Sequence, residues 1–114
     1  MINTLGKLFE LQKKLQARYY NDIDELPKEM PEKIPMQITS LVAELGEILE
    51  ENQKWKSWRK KVPSVNYENL LVEVVDAFHF LINIALFLGF DSNDVYNKFI
   101  EKNKENNERQ NRDY

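Results

Sequence analysis

Leu70-Leu71-Val72-Glu73-Val74-Val75-Asp76-Ala77-Phe78-His79-Phe80-Leu81-Ile82-Asn83-Ile84-Ala85-Leu86-Phe87-Leu88 is the stretch on which the reading of this chain turns. Among these side chains only Glu73, Asp76, His79 and Asn83 are polar. At about 100° per residue the apolar ones cover nearly the whole circumference of a helix, so the segment is expected to be buried on most sides. Glu73 and Asp76 would project about 60° apart on a face shared with Phe80, Ile84 and Phe87. Burying an ionised carboxylate without a partner costs several kcal/mol, a large part of the stability of a small domain. Something must neutralise the pair. The helix is expected to run from about Asn66 to Leu88, with Gly89 as its C-terminal cap.

Upstream, a second helix from about Met36 to Trp55 presents Ile38, Leu41, Leu45, Ile48 and Leu49 as an apolar stripe. Glu44 lies beside Leu41 and Ile48 on it, and Glu47 follows about one turn later. Two acidic pairs facing each other would repel. A hard divalent cation resolves this, because Mg²⁺ prefers oxygen ligands and is held by a few carboxylates together with waters and substrate phosphates. Glu-x-x-Glu alone is common on solvated helix faces; its combination with Glu-x-x-Asp on an otherwise apolar helix is what points to a metal site of Glu44, Glu47, Glu73 and Asp76. Glu51, one turn beyond Glu47, reads as an outer ligand or, more simply, as a solvated surface residue. His79 follows Asp76 by three residues, as in the carboxylate-x-x-His element of di-iron bundles. Those sites need two such elements and this chain has one histidine, so His79 is read as a hydrogen-bonded core residue. With no serine or cysteine nucleophile set beside a base and no glycine-rich phosphate loop, a metal-activated water remains as nucleophile.

The rest of the chain supplies the frame. A first helix, about Thr4 to Asn21, carries Leu5, Leu8, Leu11 or Phe9, Leu15 and Tyr19 at helical intervals. Pro27, Pro31 and Pro35 then impose a loop, since proline cannot sit in a helix interior. The connector Lys54-Trp55-Lys56-Ser57-Trp58-Arg59-Lys60-Lys61 is basic. Asp91 or Ser92 caps a fourth helix whose early face is Val95, Phe99 and Tyr96. Beyond Ile100 it turns almost wholly polar, and composition alone favours a frayed end over a site element for Lys102 to Tyr114. Residues 1–114 thus read as one all-α domain, a four-helix bundle-like unit. A net charge of -3 gives no general attraction to nucleic acid or acidic membranes. The absence of cysteine excludes disulfide scaffolds and thiolate metal sites. Met1-Ile2-Asn3-Thr4 lacks the start of a signal peptide. Ala77 to Phe90, the longest apolar stretch, contains His79 and Asn83 and is read as too short to span a bilayer. A soluble, cytoplasmic protein is expected.

Glu44-Leu45-Gly46-Glu47, Lys56-Ser57-Trp58 and Glu73-Val74-Val75-Asp76-Ala77-Phe78-His79-Phe80 together resemble the all-α nucleoside-triphosphate pyrophosphohydrolases, a MazG-like superfamily. Within it they resemble the dimeric-type dUTPases. Lys102-Asn103-Lys104-Glu105-Asn106-Asn107-Glu108-Arg109-Gln110, ending at Tyr114, is similar to the tail signature of those enzymes, and Leu11-Gln12-Lys13-Lys14-Leu15 to their first-helix motif. The resemblance implies Mg²⁺-dependent hydrolysis of dUTP to dUMP and pyrophosphate, with water attacking the α-phosphorus. It implies Mg²⁺ held by Glu44, Glu47, Glu73 and Asp76, with Glu47 as the base that takes the proton. Lys56, Lys102 and Arg109 would contact phosphates, and Asn103 and Asn106 the phosphates or sugar. Trp58 would pack near the nucleotide and Gln12 would read the uracil edge. The chain departs from the family at Gln16, where asparagine is frequent, and at Asp113, where glycine usually precedes the last tyrosine. It is also short between the third helix and the tail, which implies a homo-oligomer, a dimer, whose tail completes a site across the interface.

Two other readings stand beside this one. The same chemistry could act on another nucleotide, such as dCTP or a damaged base, which the metal motif does not distinguish. Alternatively, the chain is a helical interaction module whose carboxylates pair with lysines across an interface.

Overall fold

A computed structural model of the chain describes residues 4–26 and 28–112. The expectations that fall on Met1–Asn3, Pro27, Asp113 and Tyr114 lie outside the described residues. Four helices follow one another: α1 (Thr4–Gln16), α2 (Ile34–Glu51), α3 (Tyr67–Phe87) and α4 (Ser92–Asn111). Short 3-10 turns occupy Asn21–Glu25, Pro31–Lys33 and Gln53–Trp55, and no strand occurs among the described residues. The all-α expectation is met.

The helix ends follow local chemistry. Asn66 caps α3 by accepting a bond from the Asn69 amide at 3.1 Å. Asp91 and Asp94 form a reciprocal capping box at the start of α4, both bonds 2.9 Å. Pro35 falls in the first turn of α2, where a missing N–H costs nothing, so α2 starts before the expected Met36. α1 stops short of the expected Asn21 because the Arg18 and Tyr19 amides bond three residues back rather than four, tightening the chain into a turn. α3 ends where Gly89, at φ 86°, lets its own amide reach the Leu86 carbonyl and the Phe90 amide reach that of Ala85.

The core gathers around that end of α3. Phe9 from α1, Ile23, Leu26 and Met30 from the proline-containing loop, and Ile82, Leu86 and Phe87 form one buried cluster. Each large apolar side chain so buried contributes about 1.5–3 kcal/mol relative to exposure. The Met30 amide donates to the Phe87 carbonyl at 2.7 Å, tying the loop to the helix end. Tyr20 meets Phe87 edge-on with ring centroids 5.8 Å apart.

Elsewhere the chain is open. Its radius of gyration is 17.5 Å, against about 13 Å for a compact domain of this length. Its accessible surface is 8751 Å², against about 6,600 Å² for a compact monomer of this mass. α2 and α3 pair along their length, α1 crosses α3, and α4 packs chiefly on α1. This corrects the expectation that α3 is buried on most sides: Leu71, Val72, Val75, Phe78 and Leu81 are exposed. It also corrects the stripe read on α1. The buried face there is Phe9, Gln12 and Gln16, one residue out of phase with exposed Leu8, Leu11, Leu15 and Tyr19. Gln12 turns inward because Asn83 of α3 offers it a polar partner, and the leucines are left without cover.

α3 has 21 residues and contains an 18-residue stretch of mean hydropathy 2.0, so by length and composition alone it is long and apolar enough to cross a membrane. Its inner face argues for a core helix. Asn83 is buried there in two hydrogen bonds, and Glu73 and Asp76 face another acid.

Candidate active site

The close pairing of α2 with α3 brings together carboxylates that are far apart in sequence. Glu44, Glu73 and Asp76 are each half-buried, and one oxygen of each lies within 4.8 Å of the others. Removal from water, a hydrogen bond with Glu44, and the charges of Glu44, Glu47 and Asp76 hold the Glu73 carboxyl above its usual range. Among the described residues no lysine or arginine pairs with any of these four acids. Converging hard oxygen donors without a protein cation fit a divalent ion such as Mg²⁺. Glu47 is exposed and stands outside the trio, near enough to act on Glu73 through its charge.

A cleft of about 480 Å³ opens beside Glu44 and Asp76. Gln12, Gln16, Gln37, His79 and Asn83 give it polar walls, and Leu15, Tyr19, Tyr20 and Phe80 give it apolar and aromatic ones. Its floor is a chain of amides. Gln12 Nε2 donates to Asn83 Oδ1 at 2.8 Å, and Asn83 Nδ2 donates to Gln37 Oε1 at 3.0 Å. All three residues are buried. A buried amide must be hydrogen-bonded to be tolerated, and each here is. Such a surface offers donors and acceptors beside aromatic side chains, in a cleft that Glu44 and Asp76 also line.

Of the residues singled out in the sequence, Gln12, Glu44, Glu73 and Asp76 therefore come together, with Glu47 at the edge. Lys56 and Trp58 do not join them. They lie on the connector after α2, where Trp58 meets Trp55 edge-on at 5.6 Å and the Lys56 ammonium sits 5.2 Å from the Trp55 ring centre. Lys102, Asn103, Asn106 and Arg109 are carried on α4, which is helical to Asn111 and not frayed as composition suggested. Ion pairs of Glu105 with Lys102 at 3.1 Å and with Arg109 at 2.7 Å help to explain this. α4 packs chiefly on α1 rather than on α2 and α3, which carry the acids.

His79 is no core residue: it is exposed and lines the cleft. Sequence reasoning missed it as a cleft residue, together with Gln37 and Asn83, and met Gln16 only as a departure from the family. Asn83 had a signal, a lone amide on an apolar helix; glutamines at helical surface spacing had none.

The comparisons with known proteins bear on this geometry. Residues 4–88 match the family described as dUTPase. The chain belongs to this dUTPase family. The matched region takes in α1, α2 and α3, and so the acid trio and the amide chain, and stops before α4. A dCTP pyrophosphatase of Enterobacteria phage T4 is 29% identical over 108 residues, covering 82% of this chain and 63% of that protein. A dCTP pyrophosphatase of Enterobacteria phage LZ5 is 26% identical over 144 aligned positions, covering 99% of this chain and 84% of that protein. The chain thus spans less than two thirds of the phage T4 relative. No solved structure matches it.

Proposed function

We propose that this member of the dUTPase family hydrolyses dUTP to dUMP and pyrophosphate in a Mg²⁺-dependent reaction. The observation that carries the reading is the convergence of Glu44, Glu73 and Asp76, without a protein cation, at the mouth of an amide-lined cleft. A second reading, dCTP as substrate, is favoured by the names of the two phage relatives.

Glu44, Glu73 and Asp76 would hold Mg²⁺, with Glu47 beside them. When bound, the ion supplies charge withdrawal from the phosphates and a lowered pKa for nearby water. Glu47, outside the trio, is free to accept the proton of the attacking water on a carboxylate oxygen. The new bond joins that water oxygen to the α-phosphorus, and the bond from the α-phosphorus to the bridging oxygen breaks, releasing pyrophosphate. Gln12 and its amide partners would face the base, between the rings of the cleft. Lys56, Lys102 and Arg109 would contact phosphate oxygens, with Asn103 and Asn106 on phosphate or sugar and Trp58 against the nucleotide.

The last group would have to come from another copy of the chain. Uncovered Leu71, Val75 and Phe78 on α3, with Val42, Leu45 and Leu49 on α2, fit a homodimer interface in the cytoplasm, completed by α4 of one copy over the cleft of the other. Pyrophosphate release from dUTP, dCTP and TTP, with and without Mg²⁺, tests the reading. The expected result is strong preference for dUTP over TTP and no turnover in EDTA; turnover that ignores Mg²⁺ would overturn it. Deleting residues 102–114 should weaken nucleotide binding, and unchanged affinity would remove α4 from the site.

A further inference from the structure

Gln12, Asn83 and Gln37 form a chain of three carboxamides in which every inner contact pairs one NH₂ with one C=O. Such a chain has two equivalent forms. In the form described, Gln12 Nε2 and Gln37 Oε1 face Asn83, leaving Gln12 Oε1, an acceptor, at one free end and Gln37 Nε2, a donor, at the other. Rotating all three amides by half a turn keeps both inner bonds and reverses both ends. The terminal torsion of glutamine and asparagine is broad and roughly two-fold, so the reversal requires no change of backbone. Neither free end hydrogen-bonds another described residue, and no polar side-chain atom here is sealed away without a partner. Both glutamines line the cleft. The free ends are therefore available to a ligand.

Uracil and cytosine differ by this same reversal. Uracil offers a donor at N3 and an acceptor at C4; cytosine offers an acceptor at N3 and a donor at C4. Whichever of those two positions an amide end meets, the two bases demand opposite polarity from it. A fixed donor or acceptor would reject one of them, because a buried polar group left facing its like is costly.

We propose that Gln12–Asn83–Gln37 is a reversible hydrogen-bond relay that lets one cleft read both uracil and cytosine, with Gln12 facing the C4 substituent and Asn83 and Gln37 setting its polarity. This rests on the hydrolase reading above and extends it to pyrimidine deoxynucleoside triphosphates with either 4-substituent.

The test uses substitutions that lock the relay. Asn83→Asp leaves only acceptors at position 83, so Gln12 must turn its NH₂ inward and keep Oε1 toward the base. Gln37→Glu does the same from the far end: Asn83 must donate to it and accept from Gln12. Both variants therefore fix an acceptor opposite C4, which suits the amino group of cytosine. The wild-type chain should release pyrophosphate from both dUTP and dCTP with Mg²⁺. At about pH 8, where an introduced carboxyl is ionised, each variant should raise the ratio of kcat/KM for dCTP over dUTP by about tenfold or more. A residue that merely holds the fold would lower both substrates alike. An equal loss for both, a ratio that moves toward dUTP, or two variants that shift it in opposite directions would overturn the relay. Wild-type turnover of one base only would overturn it while leaving the hydrolase reading intact; turnover of neither, with Mg²⁺ present, would overturn both.

Discussion

The two halves of α3 differ in what they turn inward. Around Ile82, Leu86 and Phe87 the helix follows the ordinary rule, with apolar side chains buried against α1 and the loop that carries Met30. Around Glu73 and Asp76 the rule is inverted: acids face α2, while Leu71, Val72, Val75 and Phe78 lie exposed. One half supplies stability and needs only its own chain. The other concentrates unfavourable charge and leaves apolar surface open, the two features on which the proposed metal site and dimer interface rest.

If this division holds, substitutions in the two halves should separate activity from stability. The largest effect is expected from Asp76→Asn and Glu47→Gln, which should each lower kcat/KM by about 10²–10⁴-fold with the helical circular dichroism unchanged. Loss of helicity in step with activity would erase the distinction. Phe87→Ala, in the buried half, should cost about 3–5 kcal/mol in denaturant unfolding while leaving the intrinsic chemistry of the remaining folded protein intact. Gly89→Ala should cost about 1–2 kcal/mol, because its φ is left-handed and the new Cβ would lie 3.2 Å from the Glu29 amide nitrogen. A neutral result there would mean that the link between loop and helix end adjusts freely.

The smallest effect is a pH dependence. Burial and neighbouring charge raise the Glu73 carboxyl above its unfolded value. The folded state then binds the proton more tightly, so the metal-free protein gains stability as pH falls through the raised value, a gain complete below the ordinary carboxylate range. Melting midpoints without Mg²⁺ should therefore rise as the pH is lowered across that window. Mg²⁺ should abolish the trend, and Glu73→Gln should remove it and stabilise the metal-free chain. A midpoint that instead falls over the same window would place Glu73 in a favourable charge environment.

Legibility in the sequence divided along the same line. Helix number, the Asp91 cap, Gly89 and three converging acids could be read because each breaks an apolar pattern or ends one, while the Asn66 cap emerged only from the structure. The apolar faces of α1 and α3 could be recognised but not assigned a direction. Periodicity says that Leu8, Leu11 and Leu15 share a side and is silent on whether that side meets its own chain. Gln12 was noticed through family resemblance; Gln37 and Asn83 became partners only when α1, α2 and α3 were seen to converge. The composition of α4 gave the wrong answer because ion pairs one turn apart, invisible to an overall polarity, favour helix.

The clasp between Met30 and Phe87 has an implication for the order of events in making the protein. It joins the loop and the helix end within a single polypeptide, so this end can be completed during synthesis from residues of one chain alone. Hydrogen exchange on highly diluted protein should then find slow amides near Ile84–Phe90 and fast ones near Glu73. Maturation would run along α3 like a zip, closing first at the end that carries the buried core.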